Sequence, residues 1–293
     1  MTDRHEIDQY PKNVPPDCYC WVSMLMPLQD RLANAHDLLH RTLSEYSSSL
    51  PFLERTRHIL AFPTNSAIWA VQTAEEMASH RLTEVKIVGF RDPLLHPPLR
   101  TLPHNVVLEV DQHALWKEKR KYDLIHSREI GYMNNWPEFR GNVQHCLAAA
   151  GELRIEIVGM VPSSDDGSLQ EDSALLKLSR MLWEPPTTSK EPISDPFTIT
   201  QDLEKIGMIV STVHRKLPIN KYSDDEKEKI IGDWFAITMN EFIKARVALA
   251  GERQALDDEL IKKARKETED TTIHAYCNYY SISAKWMPRP WEL

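Results

Sequence analysis

The stretch "RTRHILAFPTNSAIWAVQTAEEMASH" at residues 55–80 decides the fold, because it reads as a strand, a short turn and a helix. We predict a buried strand at 58–62 and a helix at 66–80. In α/β proteins the loop between two such elements commonly holds a cofactor, and it needs glycine where the backbone approaches the ligand. Here the loop is Pro63-Thr64-Asn65-Ser66, which contains no glycine.

The same alternation of strand and helix continues along the chain. Strands are predicted at 85–90, 106–111, 122–127, 153–160, 206–217 and 273–286, and helices at 24–48, 137–149, 173–183, 224–249 and 254–268. Residues 273–286 alternate apolar and polar side chains, as an antiparallel strand would. The pattern predicts a Rossmann-like α/β fold, with a mostly parallel seven-stranded sheet and helices on both faces.

The domain organisation follows from where the alternation starts and where it is interrupted. Residues 1–50 are predicted to form an N-terminal arm and a lid helix, and residues 51–293 the Rossmann-like core. A helical insertion is expected near 163–202, a segment that is otherwise irregular and rich in Ser, Asp and Pro. Lid helices are expected near 224–268.

Composition excludes several classes of partner. The chain has 293 residues and a formal net charge of −8. Nucleic acid and anionic membrane surfaces bind basic patches, so they are not expected partners. No apolar run reaches the ~18 residues of a membrane span, and no secretory leader is recognised. We therefore expect a soluble, cytoplasmic protein whose four scattered cysteines are reduced.

Several segments resemble the LaeA-like branch of fungal class I methyltransferases. The run "QDRLANAHDLLHRTL" at 29–43 is similar to the first helix of that family, and "YDLIHSREIGYMNNWPEF" at 122–139 to its fourth strand and following loop. The runs "SSDDGSL" at 163–169 and "IHAYCNYYSISAK" at 273–285 resemble two further family segments. The resemblance implies the class I methyltransferase fold, whose members bind S-adenosylmethionine.

The departures from the family pattern fall at the cofactor site. In the family the loop after the first strand has the form Asp-x-Gly-x-Gly-x-Gly; here the aligned run is "AFPTNSA" at 61–67, although "IWA" at 68–70 still matches. An acidic residue that would receive the ribose is expected at the end of the second strand; here Phe90 and Arg91 follow Gly89, and Asp92 comes at least one place late. Asp111 alone stands where an adenine-side acid is expected. Because Pro63 also removes a backbone donor, we predict a degenerate cofactor motif and no bound cofactor.

Two short patterns could suggest a metal. His36 and His40 lie four residues apart on a predicted helix with an acid between them, and Cys18 and Cys20 form a Cys-x-Cys pair. Neither has the further ligands that a zinc site needs. We predict no metal.

Candidate site residues follow the strand at 122–127, since ligands of open α/β sheets bind at the carboxyl ends of the strands. His126, Arg128 and Tyr132 are the predicted catalytic groups, as donors to a bound metabolite. The alternative is structural, with Arg128 paired to Glu129 and the aromatic and Met side chains simply in the core. The predicted substrate contacts are Trp69, Asp111, Asn134, Trp136, Met160, Trp183 and Trp234.

A methyltransferase fold without its cofactor favours chemistry that needs none. Cyclisation of a small apolar metabolite in fungal secondary metabolism is such a reaction, for example a Diels–Alder cycloaddition. It requires a pocket that orients the reacting carbons and a hydrogen-bond donor that polarises a carbonyl group. Two alternatives stay open: a small-molecule methyltransferase that uses S-adenosylmethionine, and a non-catalytic pseudo-methyltransferase in a regulatory complex. A homodimer is also left open.

Overall fold

The structure is a computed structural model that describes residues 38–39, 42–43, 56–62, 68–82, 84–90, 102–109, 111–119, 121–130, 135–184, 195–250 and 257–286. Its strands are β1 (His58–Ala61), β2 (Lys86–Phe90), β3 (Val106–Glu109), β4 (Tyr122–Ile130), β5 (Leu147–Val158), β6 (Ser163–Ser164), β7 (Met208–Pro218) and β8 (Ala275–Trp286). Its helices are α1 (Ile68–Ser79), α2 (Gln112–Leu115), α3 (Trp136–Cys146), α4 (Ala174–Trp183), α5 (Pro196–Lys205), α6 (Glu226–Ala250) and α7 (Asp258–Glu267).

The strands form one sheet whose order explains where a ligand can bind. The first five run parallel in the order β3-β2-β1-β4-β5, and β8 lies antiparallel between β5 and β7. The two-residue β6 pairs with the start of β8. The chain therefore has the mostly parallel, Rossmann-like α/β fold of class I methyltransferases, and the predicted antiparallel strand at 273–286 is confirmed.

The boundary between α3 and β5 differs from the prediction. We expected a helix at 137–149, because the three alanines at 148–150 favour helix. In the structure the helix ends at Cys146, and Leu147 already pairs with Tyr122 of β4. The register between the two strands shifts before Leu124 pairs with Glu152. Sheet pairing has overridden the local helix propensity of the alanines.

Helix α5 was not predicted, since the sequence up to residue 202 was interpreted as mostly irregular. Asp195 caps the helix by accepting hydrogen bonds from the backbone N–H groups of Phe197 at 2.9 Å and Thr198 at 3.0 Å. Ile199 and Leu203 are buried against the sheet. An Asp-Pro pair before an apolar i, i+4 pair is a helix-start signal, so the information was present in the sequence.

Apolar side chains pack on both faces of the sheet. On one face α1 covers a cluster that includes Ile59 and Leu124, and on the other α3 and α5 cover one that includes Ile125 and Ile155. A third cluster joins α4, α6 and α7 to the carboxyl end of β5 and the start of β8, with Phe235 at its centre. The alternation of side chains along each strand separates the first two clusters.

Helices α6 and α7 are inserted between β7 and β8. Of the predicted helix at 24–48, the structure describes four residues, which are helical; Leu39 and Leu43 pack into the third cluster together with α6. The lid role of these helices stays a prediction. Within the described ranges, no helix combines the length and the apolarity needed to cross a membrane.

Candidate functional site

A buried carboxylate organises the polar groups on the central strands. Register places Glu156 of β5 directly opposite Arg128 of β4, with His126 two positions before Arg128 and therefore on the same face. Glu156 Oε2 accepts a hydrogen bond from Arg128 Nε at 2.7 Å and lies 2.6 Å from Arg128 Nη2. His126 Nε2 lies 3.2 Å from the same oxygen, and the Tyr279 hydroxyl donates to Oε1 at 3.0 Å. We call these four residues the Glu156 network.

The network holds Glu156 ionised. Burial alone would raise the pKa of this carboxyl group, but the charge of Arg128 and the hydrogen bond from His126 outweigh burial and hold the pKa well below its usual range. Burial also lowers the pKa of His126 to about 4, despite the opposing influence of Glu156. Since Arg128 already balances the charge of Glu156, a protonated His126 would add an uncompensated buried charge.

These protonation states define what His126 can do. A neutral ring that donates Nε2–H to Glu156 carries its lone pair on Nδ1, so its donor is already used. The ring is 3% exposed and stacks on Trp69 with centroids 3.7 Å apart and planes 2° from parallel. His126 is therefore placed as a rigid, neutral partner of Glu156 and Trp69, and a second donor to a ligand would require protonation.

A second buried carboxylate lies on the same sheet face. Glu152 Oε1 accepts from Ser283 Oγ at 2.8 Å and from Arg154 Nη2 at 3.1 Å, and Lys285 Nζ lies 3.1 Å from Oε2. With the Glu156 network, these groups form a polar row between the cluster under α1 and the cluster around α6. The signal was in the sequence, because Glu152, Arg154 and Glu156 alternate with apolar residues along β5; our sequence analysis did not select them.

The carboxyl edge of β1 and β2 is aromatic. Phe62, which follows β1, lies 6.1 Å from Phe90, 5.1 Å from Trp116 and 6.0 Å from Phe139 between ring centroids. Trp116 also contacts Phe139 edge to face, at 5.9 Å. Trp116 Nε1 is buried and finds no acceptor within the part of the chain that the structure describes. We call these four residues the aromatic edge cluster. Phe62 and Phe90 are partly exposed, whereas Trp116 and Phe139 are buried, and the Trp116 N–H donor has no described partner.

Comparison with known proteins identifies the relatives of this chain, although no protein-family model matches it. The probable methyltransferase tdiE of Emericella nidulans is 25% identical over 70% of this chain, and the match spans 63% of tdiE. The secondary metabolism regulator laeA of Fusarium oxysporum is 24% identical over 89% of this chain and 86% of its own length. The relatives of this chain are thus LaeA-like regulators and fungal secondary-metabolism methyltransferases, at about 25% identity.

Solved structures similar to this chain include methyltransferases and a cyclase. The [4+2]-cyclase SpnF is 13% identical, with a TM-score of 0.44 over 79% of this chain and 75% of its own. Methyltransferases from several organisms score at the same level. These scores do not distinguish one activity from another.

The positions that depart from the LaeA-like pattern are partly described. Ala61, in place of the family acid, is buried in β1, and Phe90 ends β2 in contact with Phe62. Asp111, the retained acid, caps α2 by accepting from the backbone N–H of His113 at 2.9 Å and lies 3.8 Å from Lys117 Nζ. The loop at 63–67 lies outside the described residues.

The remaining predicted site residues are distributed over the fold. Trp136 is buried and donates Nε1–H to Asp202 of α5 at 3.1 Å, so it anchors α3 to α5. Met160 and Trp183 are buried in the cluster around α6, and Trp234 is half-buried on α6 itself. Their contact with a substrate stays a prediction.

Two predicted residues, Tyr132 and Asn134, lie outside the described residues, as do both patterns that could suggest a metal. In the described ranges, no three His, Cys, Asp or Glu side chains are grouped as metal ligands. Arg128 pairs with Glu156 on the neighbouring strand; the alternative pair of Arg128 with Glu129 stays a prediction, because the Glu129 side chain is not among those that the structure describes.

Proposed function

We propose that this protein is a cofactor-independent cyclase of fungal secondary metabolism, built on a methyltransferase fold that no longer binds S-adenosylmethionine. The observation that carries the proposal is the aromatic edge cluster. At the ends of β1 and β2, where LaeA-like relatives are expected to hold the nucleoside through carboxylates, this chain has Ala61, Phe62 and Phe90.

The exchange of carboxylates for apolar groups disfavours an adenosyl ligand. A charge-assisted hydrogen bond to a ribose hydroxyl contributes ~1.5–3 kcal/mol, and Phe90, which stands where the ribose acid is expected, cannot make one. Asp111 retains a carboxylate, but that group already caps α2 and is close to Lys117. The same apolar surface suits a hydrophobic metabolite, since burying apolar area is favourable by roughly 25 cal/mol per Å².

Cyclisation fits what such an edge can supply. A [4+2] cycloaddition forms two carbon–carbon σ bonds from π electrons of the same molecule, so atoms, electrons and protons balance without a co-reactant. The protein needs to hold the reacting carbons together, which can lower a barrier by ~7–11 kcal/mol in favourable cases, and to polarise a carbonyl. Arg128, His126 and Tyr132 are the proposed polar groups; a neutral His126 already donates to Glu156, so it would donate to the carbonyl only when protonated. Trp116 Nε1 is a further donor, inside the aromatic edge cluster.

Two other functions are supported by specific observations. Methylation is supported by the relatives described as methyltransferases and by the matching run at 68–70 with Asp111. A regulatory role is supported by the match to laeA over 89% of this chain.

The partner proposed for the cyclase is a small apolar metabolite, and the cyclase needs neither nucleic acid nor membrane. A homodimer is also proposed, and light scattering after gel filtration measures it.

Deletion of the gene separates the three functions: the mass of the accumulated metabolite distinguishes a cyclase from a methyltransferase, and transcript levels identify a regulator. The gene is deleted in the producing fungus, and the metabolites that change are identified by mass spectrometry. A lost cyclase leaves an uncyclised isomer with the mass of the normal product, because cycloaddition conserves composition. A lost methyltransferase leaves a compound lighter by one methylene unit. A lost regulator removes the products of one or more pathways together with their transcripts.

The accumulated compound then becomes the assay substrate. Purified protein is expected to convert the isomer to the normal product without S-adenosylmethionine, at a rate proportional to protein concentration. Addition of S-adenosylmethionine should not change that rate. A methylated product, or conversion that requires S-adenosylmethionine, would overturn the proposal in favour of methylation.

A further inference from the structure

Two family-like segments that the proposed function does not use come together in space. The segment 163–169, which begins with β6, pairs through β6 with the start of β8. Val158, the last residue of β5, pairs with Tyr279, and β8 is antiparallel to β5. The residues of β8 before Tyr279, and His274 just ahead of them, therefore extend past the carboxyl end of β5, at the edge of the sheet where ligands of open α/β sheets bind.

A histidine–aspartate pair is held rigidly at this junction. His274 Nδ1 lies 2.7 Å from Asp166 Oδ2, and the backbone N–H of His274 donates to Ser168 Oγ at 2.8 Å. Asp166 Oδ1 in turn accepts from the backbone N–H of Ser168 at 2.9 Å. The Tyr222 ring stacks on the His274 ring with centroids 5.2 Å apart. Two contacts, with Asp166 and with Tyr222, thus orient the ring, and Ser168 fixes both the His274 backbone and the Asp166 carboxylate.

These contacts determine which ring nitrogen carries the proton when His274 is neutral. Hydrogen bonds from Ser168 to the carboxylate, with a further one from His274, lower the pKa of Asp166 to about 2. A carboxylate can only accept, so Nδ1 of a neutral His274 carries the proton and Nε2 carries the lone pair. The side chain is 49% exposed, and Nε2 has no partner among the described residues. This is the reverse of His126, which is buried and donates through Nε2.

A second group of linked side chains lies next to the pair. Lys216 pairs with Asp165, the residue before Asp166, and its Nζ lies 4.3 Å from the centre of the Tyr276 ring. The Tyr276 hydroxyl donates to Asp165 Oδ1 at 2.6 Å. Asp165 is thus engaged by Lys216 and Tyr276, and Asp166 is the carboxylate that orients His274, which can act as a general base through Nε2.

We propose that His274, oriented by Asp166, is a general base for a carbon acid such as a β-dicarbonyl compound. Nε2 takes the proton from the carbon between the carbonyl groups, the electron pair of that C–H bond becomes part of the enolate, and the proton later returns to carbon or passes to water. The step needs no co-reactant. This site stands independently of the proposed cyclase, and it is tested with a probe unrelated to the natural metabolite.

The probe is a nitrobenzisoxazole, which opens when a base removes its ring C–H proton. The C–H electron pair forms the nitrile, the N–O bond breaks, and a coloured phenolate leaves. We expect the wild-type protein to open the probe catalytically, and His274→Gln to lose at least ~10-fold of the rate, since a positioned base contributes ~10²–10⁴-fold. Asp166→Asn should also lose rate.

The matched control is His214→Gln. His214 is also an exposed histidine stacked on a tyrosine, with its ring 4.6 Å from that of Tyr280, but its Nε2 contacts the amide oxygen of Asn278 at 2.8 Å. This variant should keep the wild-type rate. Equal rates for His274→Gln and wild type, with both folded by circular dichroism, would overturn the proposal.

A second measurement uses the wild-type protein alone, so it does not depend on any variant folding. Nitrogen-15 NMR of the imidazole rings reports which nitrogen carries the proton. We expect His274 to be the Nδ1–H tautomer and His214 the Nε2–H tautomer. An Nε2–H tautomer for His274 would contradict the assignment, because its lone pair would then face Asp166.

Discussion

Replacement of His126 by Phe should remove a large part of the pH dependence of stability. In the folded protein burial lowers the pKa of His126 to about 4, whereas in the unfolded chain it returns to about 6.5. Between these values the unfolded chain binds a proton that the folded protein does not. The free energy of unfolding therefore falls as the pH drops from about 6.5 to about 4, and this contribution does not change further below that range.

The magnitude follows from the interval between the two pKa values, which corresponds to roughly 3 kcal/mol of unfolding free energy. Phe keeps a flat ring that can stack on Trp69 but cannot titrate. Urea unfolding curves of the wild type and of His126→Phe, recorded from pH 7.5 to pH 4.5, give the two slopes. We expect the variant to lose stability more slowly than the wild type as the pH falls.

His214→Gln serves as the control in these curves, because His214 is an exposed histidine outside the Glu156 network. It should show the wild-type slope. The reasoning is refuted if His126→Phe and the wild type lose stability in parallel across this range, since His126 would then titrate alike in the folded and unfolded states.

Further variants test the buried network and the aromatic edge. Glu156→Gln should lower the free energy of unfolding by about 3–5 kcal/mol, because it removes the buried carboxylate that pairs with Arg128 and accepts from Tyr279; a loss under about 1 kcal/mol in urea unfolding would contradict this. Glu171→Gln is the matched control, since its carboxylate pairs with Arg180 at 2.9 Å but is 83% exposed, and it should change stability by only about 0–1 kcal/mol. Phe139→Ala should lower the free energy of unfolding by about 3–5 kcal/mol, because Phe139 is 6% exposed. An unchanged melting temperature would show that packing of the aromatic edge cluster does not stabilise the fold.

The fold could be predicted because its signals are local. Apolar runs mark β1, β2 and β4, and the alternation in residues 275–286 indicated the antiparallel strand β8. The end of α3 could not be predicted, because the alanines at 148–150 favour helix locally while the pairing of β5 with β4 is a long-range contact. Propensity acts within a turn or two of chain, whereas register depends on residues far apart in sequence.

The site was predicted only in part for a similar reason. His126 and Arg128 were selected because they follow an apolar strand, and the structure does place them on one face. Glu156, which binds both, lies 28 residues after Arg128, and only the register between β4 and β5 brings the two together. A charged residue in a central strand needs a partner, so the alternating charges of β5 were the available signal.

The same limit applies to the pair of His274 and Asp166. Their segments were recognised by resemblance, 108 positions apart, but nothing local showed that they meet. The short β6 joins them through its pairing with Ala275 and Tyr276. A two-residue strand leaves no periodic pattern, so sequence reasoning had no means of placing this contact.

Calorimetric titration of the purified protein with S-adenosylmethionine measures directly whether the fold still binds this cofactor. We expect no measurable heat of binding up to millimolar ligand, because Phe90 stands where the ribose acid is expected and Ala61 stands where the acid of the cofactor loop is expected. A dissociation constant in the micromolar range, about −8 kcal/mol of binding free energy, would contradict the loss of the cofactor and return methylation to first place.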